Sequence, residues 1–300
     1  RMASTTTSRP TLFQAPSAWS LPTADTECLI AQSLLRFAGI EFAASLGSDS
    51  LLTAEGLPFL VDRDVSVSGR EGIITFLKKR GVDLDRHLAP ADRAVSIAFS
   101  ALVDEKLALC AIRNWWVEED NFRAVTAPVF TSGVAFPLSW YMQWARRRAN
   151  SQRVAHLDTD KAEANAQTCY TALADYLGQH DFFSGDKPGT LDAVVYGHLA
   201  PQYYAPMPVR PLHYALAQHE NLARYIARIS LKYFGSEAAA LMPEEAAQSL
   251  PPKDTKTTKP PRTPSQRRFR RRAKEFVLIG AAVSVGFLLF TNAIDVQYTE

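Results

Sequence analysis

Apolar positions recur along this chain in two rhythms, which change over near residue 90. In the first ninety residues, short apolar runs bounded by turn formers alternate with helical stripes. "PTLFQAP" (10–16) predicts a short strand. Leu29, Leu34, Leu35 and Ala38 then fall mostly on one face, with Asp25 placed to cap and Gly39 to close a helix over 26–38. "GLPFLVDRDVSVSG" (56–69) predicts two strands with a turn at Asp62–Asp64. "SGREGIITFLKKRGVDLD" (68–85) predicts a second helix, with Ile73, Ile74 and Leu77 inward and its end at Gly81. Strand, helix, strand, strand, helix is a small sandwich of sheet and helices.

From Pro90 to about Phe234 the spacing becomes helical. "ADRAVSIAFSALVDEKLALCAIRNWW" places Val95, Phe99, Leu102 and Val103 on one face, with Leu109 and Cys110 further along. "KAEANAQTCYTALADYLGQH" predicts an amphipathic helix stopped near Gly178. "TLDAVVYGHLAPQYY" is apolar on most faces, as a central buried helix would be, and "HENLARYIARISLKYFG" closes the bundle.

The last sixty-five residues break both rhythms. Residues 236–266 carry prolines and almost no large apolar side chains, and read as a disordered tether. A basic flank follows at 267–275, with Arg267, Arg268, Arg270, Arg271, Arg272 and Lys274 as its cations. Residues 276–294 then hold no charge, and nineteen residues of helix reach about 28 Å, enough for a thin bilayer. Cations abutting an apolar run predict a flank on the cytosolic side and a transmembrane tail anchor, with 295–300 as a short tail. The same basic run could bind phosphates of a nucleic acid, but beside a spanning segment the lipid reading is preferred, and no nucleic-acid partner is expected.

Charge sharpens this division. The chain's net +2 hides a local +9 over Lys253–Lys274, so the remainder sums to −7. Cys28, Cys110 and Cys169 are sparse and odd in number, which argues for a reducing compartment. Residues 1–10 read as a flexible N-terminus, and no apolar h-region marks a secretory signal.

Three stretches carry a resemblance to the glutathione-transferase architecture, a thioredoxin-like domain (11–89) followed by an all-helical domain (90–235). "GLPFL" is similar to that fold's Xaa-Pro before the ligand-facing strand, which implies a cis bond at Pro58. "FFSGDKPGTLDAVVY" resembles the signature opening its buried helix, with Gly185, Asp186 and Asp192 as its fold-specific residues. "SLPTADTECLIAQSLLRFAGI", "FSALVDEKLALCAIRNWWVEEDNFRAVTAPVF" and "VAFPL" before a basic helix look like the metaxin family. The fold class expected is therefore α/β plus all-α, glutathione-transferase-like, with a C-terminal transmembrane helix. The resemblance implies a non-enzymatic subunit of the mitochondrial outer-membrane sorting and assembly machinery, single-pass and tail-anchored with its body in the cytosol. Its implied partners are a β-barrel core subunit, β-barrel precursors, a second metaxin-like chain, and the bilayer through the C-terminal helix. In the buried helix, Asp192 as third residue counts back to Gly189 rather than to a capping Ser or Thr, which leaves a shifted start open.

The residues offer little catalysis. A transferase needs a hydroxyl or thiol near the first strand, and no tyrosine precedes Tyr141. Ser17, Ser20 and Cys28 remain, with Cys28 on the apolar side of the first helix. The Glu/Gln-Ser pair that transferases use for the γ-glutamyl group is replaced by Gly69 and Arg70. The histidines are scattered without metal-ligand spacing, so no catalytic residue, metal or cofactor is expected. Trp115 and Trp116 cannot both face inward on a helix, so one is expected at an interface; Arg146, Arg147 and Arg148 are candidates for a surface meeting lipid headgroups or an acidic partner. Two rival readings use the same fold: a tail-anchored glutathione-transferase-like enzyme, and an accessory or contact-site subunit of another mitochondrial complex.

Overall fold

A computed structural model describes residues 9–47 and 56–235. The tether, basic flank and apolar run of 236–300 lie outside the described residues. Among the described residues, no helix is long and apolar enough to cross a membrane.

The chain opens with β1 (Thr11–Gln14), α1 (Thr26–Phe37), β2 (Ala43–Leu46), β3 (Phe59–Asp62), β4 (Val65–Ser68) and α2 (Gly69–Lys79). The sheet order is β2-β1-β3-β4, with β1 parallel to β2 and antiparallel to β3. β2 is an addition to the sequence expectation. Its "AASL" is short, mostly exposed and poor in β-branched residues, so it carries little strand signal and forms by pairing with β1. The Asp62–Asp64 turn is present, with Arg63 at φ 54°, and the Leu57–Pro58 peptide is cis. Asp25 caps α1, accepting from the Cys28 amide at 2.9 Å. Leu29, Leu34 and Leu35 are fully buried, worth about 1.5–3 kcal/mol each. In α2 the buried residues are Ile73, Phe76 and Leu77; Ile74 is only partly covered.

The helical part runs α3 (Pro90–Leu102), α4 (Ala108–Ile112), α5 (Glu119–Asn121), α6 (Ala127–Phe130), α7 (Leu138–Arg153), α8 (Thr159–Leu177), α9 (Thr190–Tyr204), α10 (Pro211–Ala217) and α11 (Glu220–Ile229). Five-residue π-helical turns follow α3, α4, α5 and α11, at Val103–Leu107, Arg113–Val117, Phe122–Thr126 and Ser230–Phe234. Each wide turn rotates the buried face relative to a 3.6-residue period. Val95, which precedes the first of these turns, is exposed and its neighbour Ser96 is buried instead, so the inward face of α3 is corrected by one residue. Val103, Leu107 and Cys110 are buried beyond it.

α9 is the core, buried along almost its whole length. One hydrophobic cluster joins it to α1, α2, α8 and α11. Its start is not shifted: Gly189 is the N-cap, and Asp192 accepts from the Gly189 amide at 2.8 Å. The Thr190 amide, the first of the helix, donates to Asp85 Oδ1 at 2.8 Å. A Cβ on Gly189 would lie 2.7 Å from that oxygen and 2.2 Å from Ser184 Oγ. Asp85 thus satisfies the first amide of α9 from outside the helix, and glycine makes room for it.

Candidate functional site

α1 and α9 cross closely at Gly197. A Cβ there would lie 2.3 Å from Ile30 Cγ1 and 3.2 Å from both the Ile30 nitrogen and the Thr26 oxygen. This crossing sets the next residue, His198, beside the first turn of α1. A cleft of about 310 Å³ opens there, lined by Asp25, Thr26 and Glu27 on one side and by Trp115, Trp116 and His198 among others on the helical side.

Four charged or titratable groups meet beside it: Glu27 and His198 line this cleft, and Arg70 and Asp104 line a neighbouring one. Arg70 of α2 donates to both oxygens of Asp104, at 3.2 and 2.8 Å. His198 Nε2 lies 3.2 Å from Asp104 Oδ1. Burial alone would raise the Asp104 carboxyl; hydrogen bonds from His198 and Arg70 outweigh it and hold the carboxyl below its usual range. For Arg70 too, burial is outweighed by its bonds to Asp104 and the charge of Glu27, so its guanidinium is held more firmly charged. Burial pushes the Glu27 carboxyl up, opposed by Arg70 and His198.

Glu27, Asp104 and His198 each offer a ligand atom within 4.8 Å of the others. A metal ion would have to displace or face the guanidinium that already occupies both Asp104 oxygens. The arrangement is that of an ion-paired lock between α2 and the helical part rather than a metal seat.

Nucleophilic chemistry finds little support in the cleft. Cys28 is completely buried, and burial pushes its thiol far above the ordinary value. Ser17 and Ser20 are exposed and lie outside the cleft lining. Thr26 does line it, but stands between Asp25 and Glu27, whose charge neutralises the helix N-terminus and opposes a thiolate.

Of the other residues singled out from sequence, Asp192 is the most deeply set. It accepts from the Phe183, Ser184 and Gly189 amides at 2.8, 3.3 and 2.8 Å. Burial nevertheless raises its carboxyl to about 6, against those hydrogen bonds. Gly185 turns the preceding loop at φ 93°, and Asp186 is exposed. Trp115 is buried where the sheet and helical parts meet: it packs with Val125, Ala205 and Met207, and its ring meets Trp19 of the sheet part edge-on at 5.4 Å. Trp116 is half-buried against Phe122 and Phe130. Arg147 points inward, donating to the Trp116 and Val117 carbonyls and pairing with Glu119, while Arg146 and Arg148 are exposed. Asp104, Glu27, His198 and Asp85 escaped the sequence reading. The available signal was Arg70 in the place of a small hydroxyl residue, which demanded an acid nearby.

Two family models match the chain. One, described as outer mitochondrial membrane transport complex protein, covers residues 28–147. The other, glutathione S-transferase, C-terminal domain, covers 166–229. Metaxin-1 of Macaca fascicularis is 29% identical over 299 residues, 95% of this chain and 91% of that protein. Metaxin-3 of Danio rerio is 29% identical over 233 residues, 74% of each. Among solved structures, a rice glutathione S-transferase in complex with glutathione is 15% identical, covering 80% of this chain and 93% of its own, with a TM-score of 0.49.

A four-stranded sheet with flanking helices, followed by a helical domain matching the transferase C-terminal model, defines a glutathione-transferase-like fold. Within that class, the chain is similar to Metaxin-1 along 95% of its length and to Metaxin-3 along 74%.

Proposed function

We propose that this chain is a non-enzymatic, membrane-held subunit of the mitochondrial outer-membrane machinery that sorts and assembles β-barrel proteins. The observation that carries the reading is its correspondence with Metaxin-1 along 95% of its length, together with the transport-complex model over 28–147. The cleft agrees in its chemistry. Where a transferase would hold a γ-glutamyl group, Arg70 is committed to Asp104. Where it would stabilise a thiolate, the chain sets Asp25 and Glu27. The body then serves as a docking surface, held near the bilayer by the apolar run 276–294 behind its basic flank. Its direct partner is the β-barrel core subunit, with a second metaxin-like chain completing the unit.

Affinity isolation of the tagged full chain from mitochondria in mild detergent tests this. A stoichiometric polypeptide-transport-type β-barrel is the expected co-purifying protein. Recovery of the chain alone, or with respiratory or tethering proteins instead, would overturn the reading and return attention to glutathione retention. Removal of residues 267–300 should release the body into the carbonate-soluble fraction; retention on washed membranes would remove the anchor from the proposal.

A further inference from the structure

The helix α7 carries its most aromatic face toward solvent. Trp140, Tyr141 and Trp144 are 62%, 57% and 52% exposed, and Phe136 in the turn before the helix is 71% exposed. Slack packing does not explain this, because the rotation of α7 is fixed from the other side. Met142 is buried, Gln143 donates to Thr131 Oγ1 at 2.9 Å, and Arg147 is tied to the Trp116 and Val117 carbonyls. These three contacts hold α7 about its axis and leave Trp140, Tyr141 and Trp144 to solvent. Tyr141 and Trp144 lie 6.1 Å apart, and the Arg148 guanidinium sits 5.8 Å from the Trp144 ring.

Charge around this face is one-sided. Residues 131–157 contain four arginines and no acid, although the chain outside Lys253–Lys274 sums to −7. From the turn into the helix, the side chains pass from apolar to amphipathic aromatic to cationic: Phe136, then Trp140, Tyr141 and Trp144, then Arg148, whereas Arg146 turns back to donate to the Phe130 carbonyl at 3.3 Å. A bilayer presents its complement in the same order, from acyl boundary through the interfacial layer to anionic headgroups. An exposed cluster of this kind on a folded body marks an interaction site rather than ordinary surface.

We infer that the turn before α7 and the exposed side of α7 form a second, peripheral membrane contact that takes an anionic bilayer surface. It deepens the proposed function, resting on the body being held at a membrane, and it fixes which face of the body turns toward the lipid. A tether beside the bilayer keeps such a contact at high effective concentration, so modest intrinsic affinity suffices.

The test uses the full chain in lipid nanodiscs with an environment-sensitive fluorophore on Ser139→Cys, and a second sample labelled at Asp160→Cys. The three native cysteines are buried, so labelling is directed. In discs containing anionic phospholipid, the label at 139 should be blue-shifted and quenched by lipid-borne nitroxide, while the label at 160 stays in water. Purely phosphatidylcholine discs should weaken the effect at 139. Arg148→Ser should lower its occupancy about fivefold, the effect of one surface arginine at an anionic membrane. Trp140→Ser with Trp144→Ser should abolish it.

A label at 139 that remains in water in both lipids would overturn the inference. Shielding that requires two copies per disc, whatever the lipid, would assign the face to a second copy and also overturn it. If the chain fails to stay with carbonate-washed lipid, the anchor fails separately, and the same label read on added anionic vesicles still decides this face.

Discussion

Arg70 and Asp104 meet through two hydrogen bonds, at 3.2 and 2.8 Å, and so join α2 of the sheet part to the π-helical turn that follows α3. Their side chains are 20% and 26% exposed, which places the pair between surface and core. Removing one partner there strands the other. Arg70→Ala should therefore cost about 2 kcal/mol, and the double-mutant cycle with Asp104→Ala should show a coupling of about 1 kcal/mol. Chemical denaturation of the full chain in mild detergent measures both. A cycle that closes to zero would mean that the pair is not the lock it resembles.

Asp192 supplies a pH prediction. Its carboxyl is raised to about 6 when folded, above the ordinary unfolded value near ~3.9. The unfolded chain therefore ionises first, and the stability this group contributes is full below about pH 4 and lost as pH rises through about 6. The span corresponds to about 3 kcal/mol. Asn cannot titrate and keeps only one acceptor for three amides, so Asp192→Asn should be destabilised at every pH. Its deficit relative to the parent should be largest near pH 4 and shrink toward pH 7. A deficit that grows with pH would show that the amide bonds outweigh burial.

Gly189 gives a prediction of opposite sign to the one a capping rule makes. Ser at an N-cap ordinarily stabilises a helix relative to Gly by a few tenths of a kcal/mol. Here its Cβ would press on Asp85 Oδ1 and Ser184 Oγ. Gly189→Ser should lower stability by about 1–3 kcal/mol, as overpacking does. Pairing it with Asp85→Ala should recover part of the loss. A stabilised single variant would mean that Asp85 and Ser184 move aside without cost.

The thiols offer the simplest check on the cleft. Burial raises all three, Cys110 to about 12 and Cys28 further still. The native chain should show almost no reaction with a chromogenic disulfide reagent at pH 8, and three thiols after denaturation. One rapidly reacting thiol in the native state would reopen a nucleophilic role for Cys28.

The amino-acid sequence by itself determined what depends on neighbours a few residues apart. Asp25 before an apolar stripe, Gly178 after one, and the all-apolar "TLDAVVYGHLAPQYY" are local or one-helix signals, and α1, α8 and α9 lie where those signals place them. Tertiary structure decided what depends on groups far apart in the chain. β2 exists because β1 pairs with it; its own residues do not demand a strand. The buried face of the helices after residue 102 follows the π-helical turns, which a fixed period cannot register. Arg70, Asp104 and His198 meet beside the cleft next to a close crossing of α1 and α9 at Gly197. Spacing along a chain encodes one face of one element, whereas a charge finds its partner only after the elements have packed.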